Sequence, residues 1–347
     1  MLKPHQRAEL NFDILKEIGF DGRNSRTYVV RDHQLDAEIV AKQVAKAGFN
    51  DPAAFFAEAQ ALYASAHPNV VQIHYACQDA DFLYLAMPYY RDGSVKGLIS
   101  GGRHVTVREI VTMGCQVLTG LHNIHAKRLI HFDVKPDNIL LSPRGEALLS
   151  DFGLARRMNF AGKAEQDRHY GPMYPPEAFR SDRFDRTFDI YQFGLTLYRM
   201  CVGNEAFHAQ LAKFGPRIAD RDAFRFAVTT GRFPNRSEFP AHVPNKLRKI
   251  VLRCIEVDPA DRYQSAIDVA NALAAIDDKT FDWRFTEKAG TRTWMKNENG
   301  TDLRFEVKPD QSCALYKTTN GGQPRRVRDG CRSSISEKEA QKLLGSY

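Results

Sequence analysis

His131-Phe132-Asp133-Val134-Lys135-Pro136-Asp137-Asn138, followed thirteen residues after Asn138 by Asp151-Phe152-Gly153, is the stretch on which the reading of this chain turns. It holds an acid, a lysine two positions on and an asparagine five positions on. A second acid follows the apolar run Ile139-Leu140-Leu141. A carboxylate can accept or orient a hydroxyl proton, and a lysine neutralises anionic charge. An amide oxygen and a further carboxylate are hard donors of the kind magnesium takes in small number while keeping several waters. Phosphoryl transfer calls for these parts, because it depends on positioning and charge neutralisation more than on covalent chemistry. Two surface turns rich in Asp, Asn and Pro would supply the residue types, but only by accident at this separation.

The two loops resemble the H-R-D-x-K-x-x-N and D-F-G loops of eukaryotic-like (Hanks-type) bacterial serine/threonine protein kinases. They match at every position but Phe132, where arginine is usual, so the resemblance is to the non-RD type. It implies Asp133 and Lys135 as catalytic residues, Asn138 and Asp151 as magnesium ligands, and ATP as the phosphoryl donor. It covers roughly residues 10 to 276. Ile39-Val40-Ala41-Lys42 matches the V-A-I-K strand, and Glu58 lies sixteen residues after Lys42 on a helical pattern. Lys42 is then expected to hold the α- and β-phosphates while Glu58 fixes the lysine. Met87-Pro88-Tyr89-Tyr90 falls at the hinge, where Met87 and backbone groups of Pro88 and Tyr90 are expected at adenine. Ile18, Val40 and Leu140 complete the expected nucleotide set.

The glycine-rich loop departs from the family. Gly19 and Gly22 are present, but Ser25 replaces the third glycine, Thr27 replaces the following valine, and there is one extra residue before Lys42. Fewer glycines make a close approach of backbone N–H groups to phosphate costlier. Pro175-Pro176-Glu177 resembles the A-P-E signature. The resemblance implies pairing of Glu177 with Arg262, anchoring of the catalytic loop by Asp189, and a spine of Leu62, Ile73, His131 and Phe152. Between Gly153 and Pro175 there is no Ser or Thr, and Tyr170 stands where a threonine is usual. Together with Phe132 this predicts a kinase not gated by activation-loop phosphorylation. Lys135 within D-V-K-P-D-N implies Ser/Thr rather than Tyr specificity. A pseudokinase scaffold, suggested by the altered glycine loop, and a small-molecule kinase, which shares H-x-D-x-x-x-x-N, are the alternatives.

The wider chain sets the frame. Its 347 residues suffice for two lobes and one small module. The 49 basic and 42 acidic residues leave a charge of +7, which permits anionic partners without requiring them. Six cysteines without a C-x-x-C pair suit a reducing compartment and no structural zinc. The first residues lack an apolar signal core, and no eighteen apolar residues run together, so a soluble cytoplasmic protein without a membrane contact is expected. Alternation over residues 12 to 45 reads as strands, and Asp51-Pro52 opens a helix. Val70 to Ala76 and Phe82 to Met87 read as strands, and helical periodicity runs from Arg108 to about 276. Strands first and helices second is α+β: a bilobal, protein kinase-like catalytic domain over 10–278.

Residues 281–347 read as a separate small β-sheet with one helix. The expected strands are Phe281 to Phe285, Arg292 to Met295, Leu303 to Val307 and Cys313 to Tyr316. Asn299-Gly300 is a hairpin signal, and Ser336 with Glu339 is a capping box. The expected partners are protein substrates and a regulatory partner for this module. Its aromatics interleave with Arg325, Arg326, Arg328 and Arg332, which leaves a nucleic-acid face as the less expected use.

Overall fold

The alternation over residues 12 to 45 becomes, in a computed structural model of the chain, the antiparallel strands β1 (Phe12–Glu17), β2 (Ser25–Asp32) and β3 (Ala37–Ala45). With β4 (Tyr75–Gln78) and β5 (Phe82–Pro88) they form a sheet of order β1-β2-β3-β5-β4. Tyr28, Val30, Ile39, Ala41 and Ala86 bury one face. On the other, the register sets Thr27 opposite Lys42, Val29 opposite Val40, and Met87 and Leu85 opposite Val40 and Lys42. The structure describes residues 11–18, 25–46, 60, 63, 66–166 and 171–347. The strand expected from Val70 is shorter: Val70 and Val71 are buried, yet the strand starts only at Tyr75. Their apolar character reports burial, which a coil packed on a core satisfies as well as a ladder does.

This sheet belongs to one compact unit, Met1–Arg91; the second is Asp92–Tyr347. The second unit carries helices α1 (Val95–Leu98), α2 (Val107–Ala126), α3 (Thr187–Val202), α4 (Asn204–Ala212), α5 (Arg221–Thr229), α6 (Asn245–Cys254) and α7 (Ala266–Ala274). α2 starts on a capping box in which Thr106 and Glu109 satisfy each other's backbone N–H groups. Every residue of α3 is buried, so it is a central post rather than an amphipathic surface helix. Short strand pairs, β6 (Leu129–Ile130) with β9 (Arg156–Arg157), β7 (Ile139–Leu141) with β8 (Ala147–Leu149), and β10 (Ala164–Glu165) with β11 (Arg183–Phe184), frame the two loops.

The C-terminal segment forms a meander of β12 (Arg284–Lys288), β13 (Thr291–Glu298), β14 (Thr301–Val307), β15 (Cys313–Thr319) and β16 (Arg325–Arg332), closed by α8 (Glu337–Leu344). The Asn299-Gly300 turn has both residues at positive φ, 50° and 75°, as a tight hairpin of this hand requires. Ser336 and Glu339 make the expected capping box. Phe281 and Asp282 lie instead in a 3-10 turn (Lys279–Asp282). A fifth strand, β16, occupies the arginine-rich stretch, where little apolar alternation announces it. Trp294, Phe305, Leu315 and Leu344 share one core with Ala241, which precedes α6. Trp294 Nε1 donates to His242 Nδ1 at 3.0 Å, and Arg108 forks onto Asp282 at 2.6 and 2.9 Å. Arg284 reaches Glu109 of the α2 cap at 2.9 Å. The sheet thus belongs to the same compact unit as the helices. Among the described residues no helix is long and apolar enough to cross a membrane.

Candidate active site

The expected site residues fall into two groups, one on each unit. In the second unit, the loop after β6 hangs from α3 by side chains. Asp189, fully buried, accepts the backbone N–H groups of His131 and Phe132, both at 2.8 Å, and His125 Nε2–H at 2.8 Å. Gln192, one turn on, takes Val134 N–H at 2.9 Å on its oxygen and gives its amide to Phe132 O at 3.1 Å. The loop has no ladder of its own, and buried backbone groups must be paired. Residues spaced by three on one helix face supply the partners. Asp189 was expected in this role; Gln192 was not.

His131 is held neutral by burial, against the pull of Asp189, Asp133 and Asp151. Its Nδ1 accepts the Asp133 N–H at 3.2 Å, so the proton sits on Nε2 and is donated to Ser150 O at 3.0 Å. That bond ties the first loop to the second. Phe152, the next residue of the expected spine, meets the same ring edge-on at 4.8 Å.

Asp133 is 5% exposed. One oxygen, Oδ2, accepts Lys135 Nζ at 2.8 Å and Asn138 Nδ2 at 2.8 Å; the other, Oδ1, is buried without a hydrogen-bond partner. An acceptor left bare in this way costs of the order of 1–3 kcal/mol. It is poised for a donor such as a hydroxyl. Burial raises the Asp133 pKa above the ordinary carboxylate value; Lys135 opposes this, and the charge of Asp151 adds to it. Burial alone would lower Lys135, but Asp133, Asp151 and Asp137 outweigh it and keep the ammonium charged. Asp137 is gripped by Lys96 at 2.6 Å and Arg199 at 3.6 Å, cations that overcome its burial and hold it ionised. Lys96 and Arg199 are additions to the expected set.

Asn138 uses its amide nitrogen on Asp133, also reaching Asp133 O at 2.9 Å, so its carbonyl oxygen is the atom left for a cation. Asp151 stands with φ +59°, a left-handed conformation that Asp tolerates. A second acid whose charge is felt at Asp133, with the Asn138 amide oxygen free of Asp133, fits a divalent cation. Among the described residues no group of three or more His, Cys, Asp or Glu is placed to hold a metal. Few protein oxygens, completed by water and phosphate, is the mode magnesium favours.

In the first unit the sheet brings Thr27, Val40, Lys42 and Met87 to one face, through the register given above. Ile18 donates its N–H to Thr27 O at 2.7 Å at the end of β1. Ser25 opens β2 opposite Val44, Pro88 ends β5 opposite Ile39, and Tyr90 follows, its hydroxyl pKa raised by burial. Leu140 lies in the second unit on β7, half-buried, opposite Leu148. Gly19, Gly22, Glu58, Leu62 and Tyr170 lie outside the described residues.

Phe132, fully buried at φ +66°, packs edge-on against Phe188 at 4.9 Å and Phe184 at 5.9 Å, within a cluster that includes Ile130 and Ala164. An aromatic wedge therefore fills the space beside Asp133. Further along, Arg262 forks onto Glu177 at 2.8 and 2.6 Å and is itself fully buried over Tyr191, the pair the resemblance implied.

A family model described as the protein kinase domain matches residues 12–273. Serine/threonine-protein kinase PrkC of Bacillus subtilis is 26% identical over 81% of this chain and 43% of its own length. A probable serine/threonine-protein kinase of Clostridium acetobutylicum is 28% identical over 76% of the chain and 40% of its own. Rho-associated protein kinase 1 of Homo sapiens is 34% identical over 57% of the chain and 15% of its length. The chain spans less than half the length of these curated relatives.

Proposed function

Because the chain belongs to the protein kinase family, we propose that it transfers the γ-phosphate of ATP to Ser or Thr hydroxyls of protein substrates. The observation that carries this is the buried, unpartnered Oδ1 of Asp133 between Lys135 and Asn138. A substrate hydroxyl donating to Oδ1 replaces the missing partner and is oriented for attack. Lys135, already charged, neutralises the transferring phosphate from the side of Oδ2. Asn138 and Asp151 would hold magnesium, whose charge offsets that of the phosphates. Lys42 on its strand is the phosphate-holding residue of the first unit. The intact Lys42, Asp133, Asn138 and Asp151 favour catalysis over a pseudokinase scaffold, and the Glu177–Arg262 pair favours a protein over a small-molecule substrate.

The non-RD position supports activity without activation-loop phosphorylation. A phosphate orders such a loop by charge-assisted bonds to arginine, and here the position holds Phe132 in an apolar cluster. The six cysteines, all free thiols, suit the cytoplasm.

The test is transfer from radiolabelled ATP by purified protein onto a cell extract, with residues mapped by mass spectrometry. Asp133→Asn should lower the rate by about 100-fold or more at an unchanged melting temperature, and chelation of divalent cations should abolish transfer until magnesium is restored. Phosphatase-treated enzyme should keep its rate. Wild-type activity in Asp133→Asn would overturn the assignment, and a loss on dephosphorylation mapped to residues 153–175 would overturn the ungated reading.

A further inference from the structure

We propose that the outward face of the C-terminal sheet binds a phosphorylated Ser or Thr segment of a protein, with the phosphate seated between Lys308, Arg326 and Arg332. The sheet's other face is committed to the core through Trp294, Phe305 and Leu315. Because directly opposed residues share a face, the pairings Arg284–Met295, Met295–Arg304, Arg304–Tyr316 and Tyr316–Arg326 lay one row across the outward side. Beside its end, between β15 and β16, lies a cavity of about 340 Å³. Small-ligand sites start at about that volume.

An irregularity in the strand pairing makes the cavity. Cys313 opposes Arg332 and Leu315 opposes Val327, so β16 spends six residues against three of its neighbour. Gly330 permits the bulge: a Cβ there would meet Leu315 Cβ at 2.3 Å. Bulges of this kind re-aim side chains, and this one places Arg326 and Arg332 on the lining with Lys308.

The charges on the lining are not balanced from within. Its one acid, Glu306, is engaged by Arg304 at 3.4 Å. Glu339, which meets Arg332 at 3.1 Å, is shared with the cap of α8. Among the described residues Lys308 and Arg326 have no carboxylate within 4.0 Å. Three cations against one committed acid, with Ser333 also on the lining, match a phosphoester dianion, which takes charge-assisted bonds from several donors. A charged edge strand also discourages sheet-to-sheet aggregation, but that role requires neither a bulge nor a cavity.

Nucleic acid is the weaker fit. Single-strand binding rests on aromatic faces open to stacking, and the aromatic of this row is Tyr316, covered by Arg304 at 4.6 Å and Arg326 at 5.8 Å. As a device that holds a phosphorylated protein on the unit that carries the catalytic loop, the site rests on the protein kinase reading; the binding itself does not.

The experiment uses the full chain carrying Asp133→Asn, without ATP, and a fluorescent phosphoserine peptide read by anisotropy. The peptide should bind, its unphosphorylated form should bind at least tenfold more weakly, and Lys308→Ala with Arg326→Ala should remove the difference. In the otherwise wild-type enzyme the same pair should leave transfer to an unphosphorylated substrate unchanged. Equal binding of the two peptides, undiminished binding by the double variant, or stronger binding of a single-stranded oligonucleotide through the same residues would each overturn the proposal. A loss of transfer in Asp133→Asn alone bears only on the catalytic reading.

Discussion

The proposed chemistry rests on one atom, the bare Oδ1 of Asp133. Its pKa is raised by burial and by Asp151 and lowered by Lys135, and a general base works in its ionised form. The acid limb of kcat/KM against pH should therefore lie above the usual carboxylate value of about 3.9, with activity lost as pH falls through it. Lys135→Met removes the lowering charge and should move that limb to still higher pH, besides slowing transfer. Phe132 gives a second prediction. Phe132→Arg would place a cation without a partner inside the Ile130, Phe184 and Phe188 cluster, which should cost about 3–5 kcal/mol in chemical denaturation. It should not create phosphorylation-dependent activity. The candidate set of Asp133, Lys135, Asn138 and Asp151 was legible because the four lie in order within about twenty residues, and the structure brings the first three into one hydrogen-bonded group. Gln192 and Lys96 were not, because a polar residue clamping a distant backbone carries no local signature.

Among elements, the sheet and α8 show where pattern reading succeeds and fails. Strands β13 to β15 alternate, and Asn299-Gly300 and Ser336 with Glu339 carry turn and cap chemistry in the sequence itself. β16 is an edge strand whose charges face water on a bulged backbone, so its period is lost, although Asn320-Gly321 before it adopts positive φ of 50° and 70° and was a usable signal. The same sheet meets the helices through His242, which burial keeps neutral with a pKa down at about 3 from 6.5. The unfolded chain takes up a proton that the folded one refuses, so this contribution is full above about 6.5 and lost as pH falls toward 3. Thermal stability should drop on acidification through that window. His242→Gln, which keeps an acceptor for Trp294, should flatten the drop in melting curves recorded at stepped pH.

For the molecule as a whole, the α+β order of strands and helices was readable from periodicity, whereas the partnership of the C-terminal sheet with Ala241, His242 and Glu109 was not. Contacts between residues some fifty to 175 positions apart leave no mark on local pattern. Ending the chain after Asp278 should uncover that seam, and the shortened protein should melt at a lower temperature than the full chain. An unchanged melting temperature would show that the sheet adds no stability to the helices. One further consequence concerns time rather than energy. Four consecutive amides, from His131 to Val134, donate to the buried side chains of Asp189, His131 and Gln192. Irregular backbone ordinarily exchanges its amide protons quickly, through small local openings. Here release of three of them requires α3 to let go, and of the fourth a turn of the buried His131 ring, so these four protons should be among the last to exchange with deuterium, outlasting those of many regular helices around them.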